Sequence, residues 1–152
     1  MATLADRPHS RTMTAEAAPQ KPYRPGDPSV ATVRYLINDV ERAVTFYTQV
    51  LDFKLEMRNG PVIAIVSHGP LHLILSGPGS SGARPMPDGR KQEPGGWNRI
   101  VVYVKDLEAQ IGKLKAAEAR LRNAVEEGPG GKQIQIDDPD GNPIELHEAP
   151  PR

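Results

Sequence analysis

The chain has 152 residues and a mass of 16.6 kDa, the size of one ordinary domain. Lys+Arg and Asp+Glu balance at 19 each, which excludes a global field that would steer it to nucleic acid or to an anionic membrane surface. It has no Cys, so disulfides, thiolate metal sites and thiol nucleophiles are excluded, and no apolar run approaches the roughly 18 residues of a membrane span.

Pro and Gly are abundant but unevenly placed. Residues 1–29 hold five Pro and one Gly with no apolar period, and predict a disordered tail. The tail lacks the apolar run of a secretory signal. Arg7 and Arg11 leave a transit peptide open, while Asp6 and Glu16 oppose it; the expected location is the cytoplasm.

A first folded unit spans 31–76. Residues 31–37 alternate as a strand, with Val33, Tyr35 and Ile37 on one face and Thr32, Arg34 and Leu36 on the other. Asp39 then caps a helix whose buried stripe is Val40, Ala43, Val44, Tyr47, Val50 and Leu51. Residues 54–57, 62–66 and 71–76 read as three short strands, turned at Asn59-Gly60 and His68-Gly69. Residues 77–96, with four Pro and six Gly, form a twenty-residue loop, either a linker or a flap over a pocket.

The order then repeats over 97–148. A strand at 99–105 puts Ile100, Val102 and Val104 on one face. Asp106 caps a helix carrying Leu107, Ile111, Leu114 and Leu121. Strands follow near 123–125, at 132–137 and at 143–147. Thr32-Val33-Arg34-Tyr35-Leu36-Ile37-Asn38-Asp39 aligns with Arg99-Ile100-Val101-Val102-Tyr103-Val104-Lys105-Asp106, so the chain reads as an internal duplication of strand-helix-three strands. The fold class is α+β: tandem βαβββ modules, residues 31–76 and 97–148 of a domain spanning 30–148. Dinucleotide, P-loop, zinc-protease and serine-hydrolase motifs are absent from the sequence, and basic residues are scattered.

Two such modules, with NDVERAVTFYTQVLDF in the first and DPDGNPIELHE in the second, resemble the vicinal-oxygen-chelate superfamily of glyoxalase I, bleomycin-resistance proteins and extradiol dioxygenases. The stretch GPGGKQIQIDDPDGNPIEL is similar to a glyoxalase-like bacterial branch. The resemblance implies curled mixed sheets around a cavity. It also implies four positions that hold a divalent ion in metal-using members, one on the first and one on the last strand of each module. Those positions fall here on Thr32, Ile74, Arg99 and Glu145, with His72 two residues from Ile74 on the same strand face. Only Glu145 is a ready ligand and Arg99 is a permanent cation. Glu145 and His72 are the candidates if a divalent metal binds, and a metal-free site is the favoured expectation.

Strand parity then puts Thr32, Arg34, His72, Ile74, Arg99, Val101, Tyr103, Gln133, Gln135, Glu145 and His147 on the concave side, a polar, positive lining suited to an anionic or carbonyl-rich small molecule. Thr32, Arg34, Ile74, Trp97, Arg99, Gln133 and Gln135 are the expected binding residues. His72, Tyr103 and Glu145 are the expected acid/base groups of an alternative lyase, isomerase or epimerase. Each has a plainer reading. Glu145 pairs with Arg99, His72 is a half-buried strand histidine, Arg34 solvates a rim, Trp97 seals the core, and His147 is exposed near the C-terminus. The third alternative is a metal-dependent glyoxalase or dioxygenase. A homodimer is expected, with the cavity either within one chain or swapped across two; no nucleic acid or membrane partner is.

Overall fold

The computed structural model describes residues 23–152. The expectation of a disordered tail falls on 1–22 outside the described residues. Residues 23–29 form turns that lead into the first strand, closed by Asp27, whose carboxylate accepts the Ser29 N–H (2.9 Å) and hydroxyl (2.6 Å).

Module one contains β1 (Ala31–Leu36), α1 (Val40–Thr45), β2 (Lys54–Asn59), β3 (Ile63–His68) and β4 (Leu71–Ser76). Module two contains β5 (Ile100–Tyr103), α2 (Leu107–Ala116), β6 (Glu126–Gly128), β7 (Gly131–Asp137) and β8 (Pro143–Glu148). Each helix starts where the sequence supplies an acceptor. The Asp39 carboxylate takes the Arg42 N–H at 3.1 Å, and that of Asp106 takes the Ala109 N–H at 3.0 Å. The first helix is not uniformly α. It passes into a π-helical turn, Phe46–Val50, and stops at Asp52, whose φ of 59° no helix continues.

The strands form two four-stranded mixed sheets, ordered β1-β4-β3-β2 and β5-β8-β7-β6, each with one parallel pair and two antiparallel pairs. The sheets are separate and are not closed on one another. This is the expected α+β duplication. The helices cover the apolar faces, and one core runs through both modules, from Tyr35, Tyr47, Leu73 and Leu75 to Leu114, Ile134, Ile144 and Leu146.

Buried hydrogen bonds stitch the halves together. The Tyr35 hydroxyl donates to the Pro143 carbonyl (2.6 Å) and accepts the Ile100 N–H (3.1 Å). The Asn142 amide donates to the Leu36 carbonyl (2.8 Å), and the Tyr47 hydroxyl donates to Asp138 (2.8 Å). Burial pushes the Tyr47 phenol well above its usual range, so it remains a donor.

Two sequence expectations shift. Leu121, expected on the second helix, lies beyond the helix end at Ala116. The strand expected near 123–125 does not form there. Residues 120–122 run beside β7 instead, joined by the Arg122 N–H to the Gln135 carbonyl (2.8 Å) and a Leu121–Ile136 bridge. The Asn123 side chain then accepts the Gln135 N–H (2.9 Å), replacing a backbone acceptor, and regular pairing resumes at β6. The turn into β7 needs Gly131. Its φ is 111°, and a Cβ there would run into the Glu148 carbonyl.

The 77–96 loop is tied down at several points. The Ser80 hydroxyl donates to the Gly77 carbonyl (2.8 Å), the Gln92 amide donates to the Arg84 carbonyl (2.8 Å), and the Gly95 N–H donates to Asn142 (2.9 Å). No helix among the described residues is long and apolar enough to cross a membrane.

Candidate functional site

The faces of the two sheets turned away from the helices carry the polar residues. In module two, Glu145 on β8 is flanked by Gln135 on β7 and Val101 on β5, because those residues are direct cross-strand partners. Its carboxylate is fully engaged. One oxygen accepts from Arg99 Nε (3.1 Å) and Nη2 (2.8 Å), and the other faces His147 Nδ1 at 3.1 Å. The second ring nitrogen of His147 faces the Gly130 carbonyl at 2.7 Å. Both nitrogens thus face acceptors, which is the environment of an imidazolium.

The charges follow from this geometry. Burial alone would raise the Glu145 carboxyl, but the hydrogen bonds and charges of His147 and Arg99 outweigh it and hold it below the usual range. The Gly130 carbonyl first, and then Glu145, raise the His147 imidazole. Sequence reasoning placed His147 as exposed. It is half-buried with both nitrogens bonded, because the turn before β7 brings Gly130 back over it. Tyr103 stacks on the same ring at 5.2 Å, yet remains 64% exposed.

Module one is differently equipped. Thr32, His72 and Ser67 lie side by side across β1, β4 and β3. The Ser67 hydroxyl donates to Glu56 at 2.7 Å. Glu56 sits where the β2–β3 register shifts, so simple alternation does not assign it a face, and it was not among the expected site residues. His72 Nδ1 is buried and has no hydrogen-bond partner among the described residues, and the Tyr23 ring packs 5.6 Å from the imidazole. Ile74, the next residue on that face, is half-buried.

Arg34 is exposed and donates to the Ser76 hydroxyl at 2.7 Å. No carboxylate among the described residues pairs with it. Its guanidinium lies against Gly82, where a Cβ would collide with it, so the loop glycine lets the chain pass over the arginine.

Arg34, on β1, and Arg99, just before β5, face a common hollow. They line this hollow of about 360 Å³ with Tyr35, Glu93, Asn98 and Asn142. Trp97 and Gln135 line a separate hollow of about 510 Å³. Trp97 does not seal the core: it is 74% exposed and stacks on Arg122. Gln133 lies opposite His147 across β7–β8. Thus Arg34 and Arg99 are brought together, Glu145 with Arg99, and Trp97 with Gln135, while His72 and Thr32 form their own group on the other sheet.

The residues do not fit the divalent ion that the resemblance implies. Both oxygens of Glu145 already face cationic donors, and Arg99 occupies a corner that an ion would need. Among the described residues no three His, Cys, Asp or Glu side chains are grouped to hold a metal.

A family profile described as the Glyoxalase/Bleomycin resistance protein/Dioxygenase superfamily matches residues 29–146, and the chain belongs to that family. Solved structures share its fold. Lactoylglutathione lyase from Agrobacterium tumefaciens is 20% identical, with 81% of this chain and 95% of that one covered and a TM-score of 0.61. TnmS3, an antibiotic binding protein from Streptomyces sp. CB03234, is 23% identical, with 80% and 95% covered and a TM-score of 0.62. The fosfomycin resistance protein FosX from Listeria monocytogenes is 11% identical, with 80% and 93% covered and a TM-score of 0.61. No curated protein matches the chain.

Proposed function

We propose that this member of the superfamily binds a small anionic or carbonyl-rich molecule without a metal, and that Arg34 and Arg99 are its anchors. The observation that carries this reading is the seam hollow, lined both by Arg34, which pairs with no carboxylate among the described residues, and by Arg99, fixed by Glu145. Fixed donors of that kind bind carboxylates or enolised carbonyls without the ordering cost of a mobile side chain. The likeness in fold to an antibiotic binding protein supports a binding role. A homodimer in the cytoplasm is part of the proposal. Val101 and Tyr103, 42% and 64% exposed on the polar face of β5, favour a second copy covering that face.

A second reading, acid/base catalysis, is favoured by the unpartnered His72 Nδ1 next to the Ser67–Glu56 pair. An imidazole with one free nitrogen is equipped to take a proton from a bound substrate.

The test is a calorimetric titration of purified protein with oxalate and simple 2-oxo acids, alongside metal analysis and native mass measurement. Saturable binding that weakens about tenfold in Arg34→Gln is expected, the cost of one charge-assisted hydrogen bond. One tightly held divalent ion per chain, with loss of stability in chelator, would overturn the metal-free reading.

A further inference from the structure

The hollow behind Trp97 is built from three features that the fold does not otherwise use. Trp97 is the largest apolar side chain of the protein, yet it stands 74% exposed in the stretch leading to β5. It is nevertheless held in place. The Arg122 guanidinium lies 5.0 Å from its ring centre, and that guanidinium is itself fixed by Asp137 and by the carbonyls of Gly96 (2.8 Å) and Gly141 (3.1 Å). The indole is therefore a rigid plate with one face supported and much of the rest open to solvent.

Within the same hollow, Gln135 Oε1 is buried without a partner. Its backbone N–H is bonded to Asn123, and its cross-strand neighbour Glu145 is committed to Arg99 and His147, so neither supplies the missing donor. A buried amide oxygen open among the described residues is an acceptor that a donor from outside the chain can complete. At the rim stands Arg120, its side chain 81% exposed. Its one carboxylate contact is Asp137 at 3.6 Å, and that carboxylate is already held by Arg122.

A flat surface, an inner acceptor and an outer cation specify a ligand. We infer that this hollow, about 510 Å³ in volume, binds a planar aromatic acid. The ring stacks on Trp97, an O–H or N–H at the inner edge donates to Gln135, and the carboxylate faces Arg120. The inference rests on the reading of the protein as a small-molecule binder and adds to it a second, aromatic ligand site. None of its residues lines the Arg34–Arg99 hollow, so the two are separable.

Trp97 is the chain's only tryptophan, so its emission reports the site directly. The probe is 6-hydroxy-2-naphthoate, with a planar ring and a hydroxyl and carboxylate at opposite ends. Controls are 2-naphthoate, which lacks the hydroxyl, 2-naphthol, which lacks the carboxylate, and trans-4-hydroxycyclohexanecarboxylate, which is not planar. Saturable quenching of Trp97 is expected with the probe, with a matching calorimetric isotherm. Each control should bind at least fivefold more weakly. Trp97→Leu and Gln135→Leu should each weaken the probe about tenfold by calorimetry, with Gln135→Met as a second variant and unfolding midpoints confirming that each is folded. Arg34→Gln should leave probe binding unchanged.

Equal binding of the non-planar acid, wild-type affinity in the folded Gln135 variants, or no saturable binding of the probe would each overturn the inference. Loss of probe binding in Arg34→Gln with none in Trp97→Leu would place the ligand in the seam hollow; that outcome sinks this inference and leaves the proposed function standing. Silence of oxalate and 2-oxo acids with the probe bound as expected would do the reverse.

Discussion

The two modules share one fold and differ in how their polar faces are satisfied. In module two the charges around Glu145 and Asp137 are answered: Arg99 and His147 by Glu145, Arg122 by Asp137, and Lys132 by Glu127 at 3.7 Å. In module one, among the described residues, Arg34 has a hydroxyl for a partner and His72 keeps a nitrogen without one. A duplicated fold gives both halves the same strands, so packing does not explain the contrast. A buried pair whose partners are both present is a structural device. An unanswered donor on the same kind of surface is available to a ligand. Module two is thus a largely paired wall, open among the described residues at Gln135 Oε1 and at one oxygen of Asp140, and module one carries the freer cation and imidazole.

The contrast is broken most directly by substituting one arginine on each side. Arg99→Ala leaves the Glu145 carboxylate, only 9% exposed, with His147 alone. Arg99 is itself 28% exposed, so the expected loss is at the low end for a broken pair, about 2–3 kcal/mol in denaturant unfolding. The double change with Glu145→Ala should recover part of it, since the pair is in contact. Arg34→Ala should cost less, about 1 kcal/mol, because it removes one hydrogen bond, to the buried Ser76 hydroxyl, and no ion pair among the described residues. Additive losses for Arg99 and Glu145, or a large loss for Arg34, would mean that the two faces do not differ in this way.

A second substitution tests the wall between the modules. Tyr47→Phe removes the donor to Asp138 Oδ2, which is then left with the Asn142 amide at 2.9 Å. The Asp138 carboxyl is raised by burial, though the bonds it accepts oppose this. Loss of one buried hydrogen bond predicts about 1–2 kcal/mol of destabilisation. Unfolding should remain a single transition, because the core runs through both modules. Two transitions would show that the halves fold independently.

Much of this was legible in the sequence. Alternation at 31–36 and 143–147 identified strand faces, Asp39 and Asp106 identified helix starts, and the Arg99–Glu145 pair followed from strand parity together with the ligand positions that the family resemblance implies. Three features were not legible, for different physical reasons. Glu56 faces Ser67 across a register shift, and a bulge resets the period-two rule that assigns faces. Residues 123–125 have strand-like composition, but an asparagine side chain takes the place of a backbone acceptor there. The ties of His147 to Gly130 and of Trp97 to Arg122 are made by turns and loops, whose paths no periodicity encodes.

The Glu145–His147 pair sharpens the comparison through pH, with a smaller effect. Glu145 is held below its ordinary 4.5, so its contribution to stability is present above that value and fades as pH falls through the lowered pKa. His147 is held above its ordinary 6.5, so its contribution is present below that value and fades as pH rises through the raised pKa. From this pair, stability is greatest between those limits. His147→Gln should flatten the alkaline fall in unfolding free energy while leaving the acidic one. An unchanged alkaline limb would assign that fall to another group.

The smallest expected effect falls on the freer side. The Tyr23 ring is 5.6 Å from that of His72, half-buried at the edge of module one, and no hydrogen bond joins them. A tilted ring pair in that setting contributes about 0.5 kcal/mol. A chain begun at Val30, which lacks Tyr23, should therefore unfold within a degree or two of the full chain. Stability is the insensitive measurement here and the imidazole is the sensitive one. Removing the ring changes the surroundings of His72, so its NMR resonances should shift, while those of His147, tied within module two, stay where they were. Tyr23→Ala in the full chain should reproduce the His72 change, which separates loss of one ring from loss of the whole segment. A large fall in melting temperature on truncation would show that the segment before β1 is part of the fold. Unchanged His72 resonances in both variants would show that the ring contact does not persist in solution, leaving the His72 nitrogen more open to a ligand than the structure draws it.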